Sequence, residues 1–172
     1  MLRRVLALVT NVAGALSAAM MVVMVAAVLF QIVSRMLGFR SFDAGELAGF
    51  LLAIMSFLAL AYTFRAGGHI RVNVALSRLS GGSRRAMEIA CLTVAAAIVL
   101  VLAWSSYSMA RDSYEFGSVS TGMLAVPLWI PQVGMVVGAV LLLLVLVEGL
   151  VDTIQGRLPQ YESSGHSTTT AE

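Results

Sequence analysis

The sequence predicts an all-α integral membrane protein with four transmembrane helices. Of the 172 residues, 59% are hydrophobic and only 12% are charged, whereas a soluble domain is about half apolar and about a quarter charged. The apolar residues form four runs, at 12–33, 47–64, 89–110 and 131–151. Each run is close to the ~20 helical residues that cross a bilayer core of ~30 Å. We expect one membrane domain over residues 1–158 and a disordered polar tail over residues 159–172.

The first run follows Arg3 and Arg4 and could instead be a cleaved signal peptide, in which a basic region precedes an apolar core. Its apolar part is longer than the usual ~7–15 residues of such a core. It also ends at Ser34 and Arg35 without a small-residue cleavage pattern. The sequence therefore favours a transmembrane helix that begins near Leu2 and ends near Arg35.

The second span begins after a loop that contains Asp43. Glu46 follows three residues later, which resembles a capping box. The span ends before Gly67 and Gly68, either of which can adopt the left-handed conformation that closes a helix. In the next segment, residues 70–79, apolar residues recur at helical spacing between arginines, which favours a short helix in the membrane interface. Alternation at its start also fits an extended segment.

The third span is expected to begin after Ser83, a favourable N-cap residue. Aromatic residues towards its other end are typical of an interfacial belt: Trp104, Tyr107 and Tyr114. The fourth span follows a loop that contains Pro127, and Pro131 suits the first turn of a helix. Trp129 between them is expected at the membrane interface.

The arginines predict the orientation. All eleven basic residues are arginine. If four helices cross in sequence, most arginines lie on the side of the two termini and of the loop between spans two and three. They are Arg3, Arg4, Arg65, Arg71, Arg78, Arg84, Arg85 and Arg157. Because short arginine-rich segments stay in the cytoplasm, we expect both termini inside a bacterial inner membrane.

The middle of each span lacks the ionisable residues that usually mark catalysis or ion pathways within a membrane. Glu46, Glu88 and Glu148 lie near span ends. His69 lies at a helix end and His166 in the tail, so paired histidine ligands for haem are not predicted. The sequence contains no metal-binding cluster or phosphate loop. We therefore expect neither an enzyme nor a cofactor-binding protein, and the arginine distribution does not indicate nucleic-acid binding.

Small residues within the spans permit close helix contacts: Gly14, Ala18, Ala19, Gly134 and Gly138. Together with the lack of chemistry in the spans, they favour a membrane scaffold that binds a partner. One alternative is a membrane anchor of a respiratory or redox complex, which would need haem or quinone ligands in the bundle. Another is a stand-alone small exporter, which would transport without partners.

Three segments together resemble a known family: Arg35 followed by FDAGELAGFLL, then FLALAYTFRAGGHIRVNV, then SVSTGMLAVPLWIPQVG. Their order and spacing are similar to the small, DctQ-like membrane subunit of tripartite ATP-independent periplasmic (TRAP) transporters. The resemblance is clearest over residues 35–138. Two departures are Asn73, where the family often has Asp, and the absence of a further proline early in the fourth span.

This resemblance implies a non-catalytic subunit that braces a large membrane subunit, which holds the substrate and sodium sites. A periplasmic binding protein delivers the substrate, commonly an organic acid, and an ion gradient drives uptake without ATP. The residues that select the substrate are then expected in the other subunits.

Seven residues are candidates for assembly or partner contacts. Arg35 and Glu46 could pair with each other or contact the partner, or they could be independently solvated helix ends. His69 and Arg71 could hold the cytoplasmic loop against the large subunit or lipid phosphate. Alternatively, His69 caps the second helix and Arg71 only anchors the chain inside.

The other three candidates, Pro127, Trp129 and Pro131, could shape a docking surface for the binding protein. The alternative is that the prolines stiffen the loop and the tryptophan anchors the interface.

Overall fold

The computed structural model describes residues 2–39, 44–66 and 82–155. It contains four helices: α1 (Leu2–Met36), α2 (Ala44–Arg65), α3 (Gly82–Glu115) and α4 (Trp129–Ile154). Each is long and apolar enough to cross a membrane, which confirms the prediction of an all-α protein with four such helices. Several predicted features lie outside the described residues: Asp43, His69, Arg71, the interfacial segment at 70–79 and the tail at 159–172.

α1 and α3 are longer than the apolar runs that predicted them. They contain 35 and 34 residues, which correspond to about 52 and 51 Å at 1.5 Å per residue. Both end in a Schellman motif, in which a glycine with positive φ closes the last turn. Gly38 (φ 77°) follows α1 and Gly117 (φ 60°) follows α3. The amide of Phe39 donates to the carbonyl of Ser34 at 2.9 Å.

The helices pack in a row in the order α1, α2, α4, α3. α1 and α2 are antiparallel, and so are α3 and α4, whereas α2 and α4 in the middle of the row run parallel. The start of α1, the end of α2, the start of α3 and the end of α4 therefore meet at one end of the molecule, which we call the terminal end. The opposite end, with residues 36–39, the start of α2 and residues 116–128, is the loop end. α1 and α3 form the two edges of the row.

The core lies between α2, α3 and α4. Its buried apolar residues are Ala61, Leu92, Val99, Leu142, Val145 and Leu146. The most apolar stretch of α1 contains no buried residue, because this helix packs mainly on α2. Each edge of the row consequently carries a long uncovered apolar face, which includes Val22 on α1 and Val101 on α3.

Small residues set the spacing between neighbouring helices. A Cβ on Gly138 of α4 would lie 2.5 Å from the backbone carbonyl carbon of Phe57 on α2. Gly134 lies one turn earlier on the same helix, where a Cβ would lie 2.8 Å from a side chain of α2. The two glycines of this G-x-x-x-G pattern therefore serve packing within the chain.

The contact between α1 and α2 follows the same principle and adds a hydrogen bond. A Cβ on Gly14 would lie 2.7 Å from Cγ of Tyr62. One turn further on, the Ser17 hydroxyl donates to the carbonyl oxygen of Met55 at 2.9 Å. This bond joins the two helices where an apolar environment offers few other partners for a hydroxyl group.

Candidate functional site

Charged side chains from three helices meet at the terminal end. Glu148 and Asp152 are four residues apart and lie on one face of α4. Arg65 of α2 lies 3.5 Å from Glu148 (Nη1 to Oε2). Arg3 of α1 lies 4.0 Å from Glu148 (Nε to Oε1) and also forms an ion pair with Asp152. We call these four residues the terminal ionic cluster.

In the terminal ionic cluster, Arg3 is 45% exposed, whereas the other three side chains are largely withdrawn from solvent. The side chains of Arg65 and Glu148 are 11% and 18% exposed, and that of Asp152 is 3% exposed. Removing charged groups from water is costly unless each is paired. Here two guanidinium groups balance two carboxylates, so the cluster ties α1 and α2 to α4.

α3 reaches the same end through Arg85. Its Nε donates to the carbonyl oxygen of Thr153 at 3.1 Å, and its guanidinium also donates to the carbonyl of Ile154. These carbonyls belong to the last turn of α4, where a helix lacks its own donors and where positive charge is favourable. All four helices are thus joined by polar contacts at the terminal end.

At the loop end, the segment between α3 and α4 (residues 116–128, the α3–α4 loop) has a narrow neck. Val119 and Pro127 form an isolated antiparallel bridge. The amide of Ser120 donates to the carbonyl of Val126 at 2.9 Å, and another backbone bond closes the base of the loop. Ala125 has a φ of 45°, a left-handed conformation that costs about 1 kcal/mol or more for a residue with a side chain.

Glu46, in the first turn of α2, contacts the tip of this loop. Its Oε2 accepts a hydrogen bond from the amide of Leu124 at 3.1 Å. Its Oε1 is buried and has no hydrogen-bond partner within the described parts of the chain. The carboxylate rests against Gly122, where any side chain would overlap it.

The sequence suggested Arg35 and Glu46 as a possible pair. Arg35 is exposed in the last turn of α1, and the described contacts of Glu46 are with the α3–α4 loop instead. His69 and Arg71 lie outside the described residues.

The three candidate residues around the α3–α4 loop lie close together in the chain but differ in their surroundings. Pro127 belongs to the neck of the loop. Trp129 begins α4 and packs edge-on against Tyr114 of α3, with ring centroids 5.9 Å apart. Pro131 is buried in the first turn of α4. The arrangement anchors the loop to both helices that it joins.

Sequence reasoning identified Glu46 and Glu148 but not the contacts that they make. The sequence predicts Glu148 as a helix-end residue and indicates only a role in membrane orientation for Arg3 and Arg65. One sequence signal could have predicted these ion pairs. Glu148 and Asp152 are spaced four residues apart, and they lie at the end of the molecule where most arginines are found. Leu124 carries no such signal, because it contributes only its backbone amide.

In residues 2–39, 44–66 and 82–155, no group of three or more histidine, cysteine or acidic side chains could hold a metal ion. The polar contacts described above hold helices and a loop in place. We call them tethers, because they connect the helices and the α3–α4 loop at the two ends of the row of apolar helices.

A model of the family described as "Tripartite ATP-independent periplasmic transporters, DctQ component" matches residues 24–156. The match spans most of the chain and includes α2, α3, α4 and the α3–α4 loop. No protein of curated function matches the chain.

Proposed function

The chain belongs to the DctQ family of components of tripartite ATP-independent periplasmic transporters, and we propose that it is the small permease subunit of a secondary-active uptake system for an organic acid. Members of this family work with a large membrane subunit and a periplasmic binding protein. In this proposal the subunit is not catalytic. It braces the large subunit, and its loop end helps to dock the binding protein.

The observation that carries the proposal is the open row of helices. A chain that transported alone would be expected to enclose charged groups within its spans, whereas the Asp, Glu and Arg side chains of the described helices lie within about two turns of the helix ends. The uncovered apolar faces of α1 and α3 are long enough to pack against further transmembrane helices. These features support a scaffold whose partner contains the transport path.

The proposed orientation follows from the arginines. Arg3, Arg4, Arg65 and Arg85 lie at the terminal end, and arginine-rich ends remain in the cytoplasm. The proposed orientation therefore has both termini in the cytoplasm and the loop end in the periplasm, on either side of the bacterial inner membrane. The α3–α4 loop would then face the compartment in which the binding protein diffuses.

The docking role rests on the α3–α4 loop. Its neck is closed by backbone hydrogen bonds, and Trp129 and Pro131 fix its second end. The side chain of Met123 is strongly exposed at its tip. A preformed loop loses less conformational entropy on binding than a flexible one, which favours this loop as the contact for a soluble partner.

The bracing role can be tested by purifying an affinity-tagged chain in mild detergent from cells that also express a large TRAP membrane subunit. We expect a stable complex that contains one large membrane subunit. Recovery of the tagged chain without any large membrane protein would contradict the proposal.

The two uncovered faces provide matched variants for this test. Val22 on α1 and Val101 on α3 are both 69% exposed, and a tryptophan at either position leaves the packing of the row unchanged. If the large subunit covers one edge, Val22→Trp or Val101→Trp should reduce recovery of the complex. Full recovery with both variants would show that neither position lies in the interface.

A further inference from the structure

The tip of the α3–α4 loop depends on a contact from outside the loop. Its neck is held by the backbone bonds around Val119 and Pro127. Beyond the neck, two hydrogen bonds reach the tip within the described residues. One runs from the amide of Gly122 to the Ser120 hydroxyl at 3.3 Å, and the other from the amide of Leu124 to Glu46. The bond to Glu46 alone joins the tip to another helix.

The conformation that Glu46 contacts is strained. Ala125 follows Leu124 directly and has a φ of 45°, which a residue with a Cβ adopts only when its surroundings impose it. Hydrogen bonds that involve a charged group are stronger than those between neutral groups. A carboxylate acceptor one residue before the strained position can therefore offset the strain.

Gly122 makes this contact possible. Because it has no side chain, the Glu46 carboxylate can lie directly against the loop backbone. Gly122 belongs to the segment that resembles the family, but no pattern in the sequence explains a glycine at this point. The structure supplies the reason, which is the close approach of a carboxylate from α2.

We propose that Glu46 is a positioning residue that holds the tip of the α3–α4 loop in its strained conformation. It thereby fixes the loop against α2 and keeps Met123 directed away from the row. This inference rests on the proposed function for docking and for the complex used in the test, whereas the tether itself can be measured without the binding protein.

The tether predicts faster hydrogen exchange at the Leu124 amide when the carboxylate is removed. The complex with the large subunit, in lipid nanodiscs, is compared as wild type and Glu46→Ala by exchange mass spectrometry of peptides from the loop. Losing a bond to a charged acceptor should raise the exchange rate of this amide about tenfold. Unchanged exchange would overturn the proposal.

Glu115→Ala is the matched control. Glu115 is a carboxylate at the same end of the molecule, is exposed, and pairs with Arg111 of its own helix at 2.7 Å. This variant removes the same charge without touching the tip, so the exchange of Leu124 should remain at the wild-type rate. If Glu115→Ala accelerated exchange as much as Glu46→Ala, the acceleration would be a general effect of losing a charge, and the proposed tether would be refuted.

Two further variants address the mechanism. Ala125→Gly relieves the strain without supplying a new acceptor, so in the Glu46→Ala background the Leu124 amide should still exchange fast. Protection of the Ser120 amide, which donates to Val126 in the neck, should be restored, because glycine adopts positive φ freely. Gly122→Ala displaces the carboxylate while leaving Glu46 in the chain, and should also accelerate exchange. If Glu46→Ala does not assemble with the large subunit, exchange in Gly122→Ala provides the test instead. A Leu124 amide that exchanges at the wild-type rate in Gly122→Ala would overturn the proposal.

A second measurement links the tether to docking. The affinity of the fluorescently labelled binding protein of the same transporter is titrated against the same nanodiscs. If the held loop is its contact, Glu46→Ala should weaken binding by about threefold or more, since the loop must then be ordered on binding. Faster exchange with unchanged affinity would retain the tether and refute the docking role of the loop.

Discussion

Replacing Gly138 by alanine tests whether backbone contact sets the spacing between α2 and α4. The added methyl group would lie 2.5 Å from the carbonyl carbon of Phe57 and 2.7 Å from its Cβ. Carbon atoms in normal contact are about 3.5–4.0 Å apart, so the two helices must separate by about 1 Å. The neighbouring backbone cannot rotate away as a flexible side chain could.

The cost follows from that separation. A gap of this size removes roughly a quarter to a half of the ~0.1–0.2 kcal/mol that each atom pair contributes. Over roughly 40 atom pairs along the interface the loss is about 2 kcal/mol. Alanine also gains about 1 kcal/mol over glycine in helix propensity, so Gly138→Ala should lose about 1 kcal/mol in net stability.

Gly49→Ala separates the two effects. Gly49 lies within α2, and a Cβ there would meet nothing within 4 Å, so this variant receives only the propensity gain. Thermal unfolding of the isolated subunit in detergent should place Gly138→Ala about 4–8 °C below Gly49→Ala. Equal melting temperatures would refute the inference that Gly138 sets the helix spacing.

Two further predictions use the same assay. Arg65→Ala should lose about 2–3 kcal/mol, because it leaves the largely buried carboxylate of Glu148 with a single distant arginine. Arg111→Ala, which removes an exposed pair within one helix, should lose about 0.5 kcal/mol or less, and equal losses would contradict the burial argument. Ser17→Ala should lose about 0.6–1 kcal/mol with its bond between helices. Thr93→Ala, whose hydroxyl bonds its own helix, should change stability little, and a larger loss there than for Ser17→Ala would refute this assignment.

Hydropathy predicted the four helices because each apolar run is long enough to cross a bilayer. It could not predict which faces pack together. In lipid, an apolar side chain gains little from burial against another helix rather than against acyl chains. Leu58 is buried and Leu52 is half exposed on the same helix, and no periodic contrast distinguishes them. The informative residues were the small ones, since Gly134 and Gly138 mark the α2–α4 contact.

The tethers differ in how far the sequence could have predicted them. The terminal ionic cluster combines arginines expected at one end with two carboxylates spaced for one helix face, so its members were recognisable. The contact between Glu46 and Leu124 joins residues 78 positions apart through a backbone amide. It depends on the path of the α3–α4 loop, and that path depends on the positive φ of Ala125. An alanine in a sequence does not predict a positive φ.

The length of α1 has a consequence for the surrounding membrane. Between Arg4 and Arg35 this helix contains no charged residue, so its uncharged rod is about 45 Å long. A hydrocarbon layer of about 30 Å contains all of that rod only if the helix leans by roughly 48° or the bilayer thickens around it. α2 has an uncharged length of about 27 Å between Glu46 and Arg65 and matches the same layer while upright. The two neighbouring helices therefore match different membrane thicknesses. Lipids with longer acyl chains should be enriched around α1, at that edge of the row.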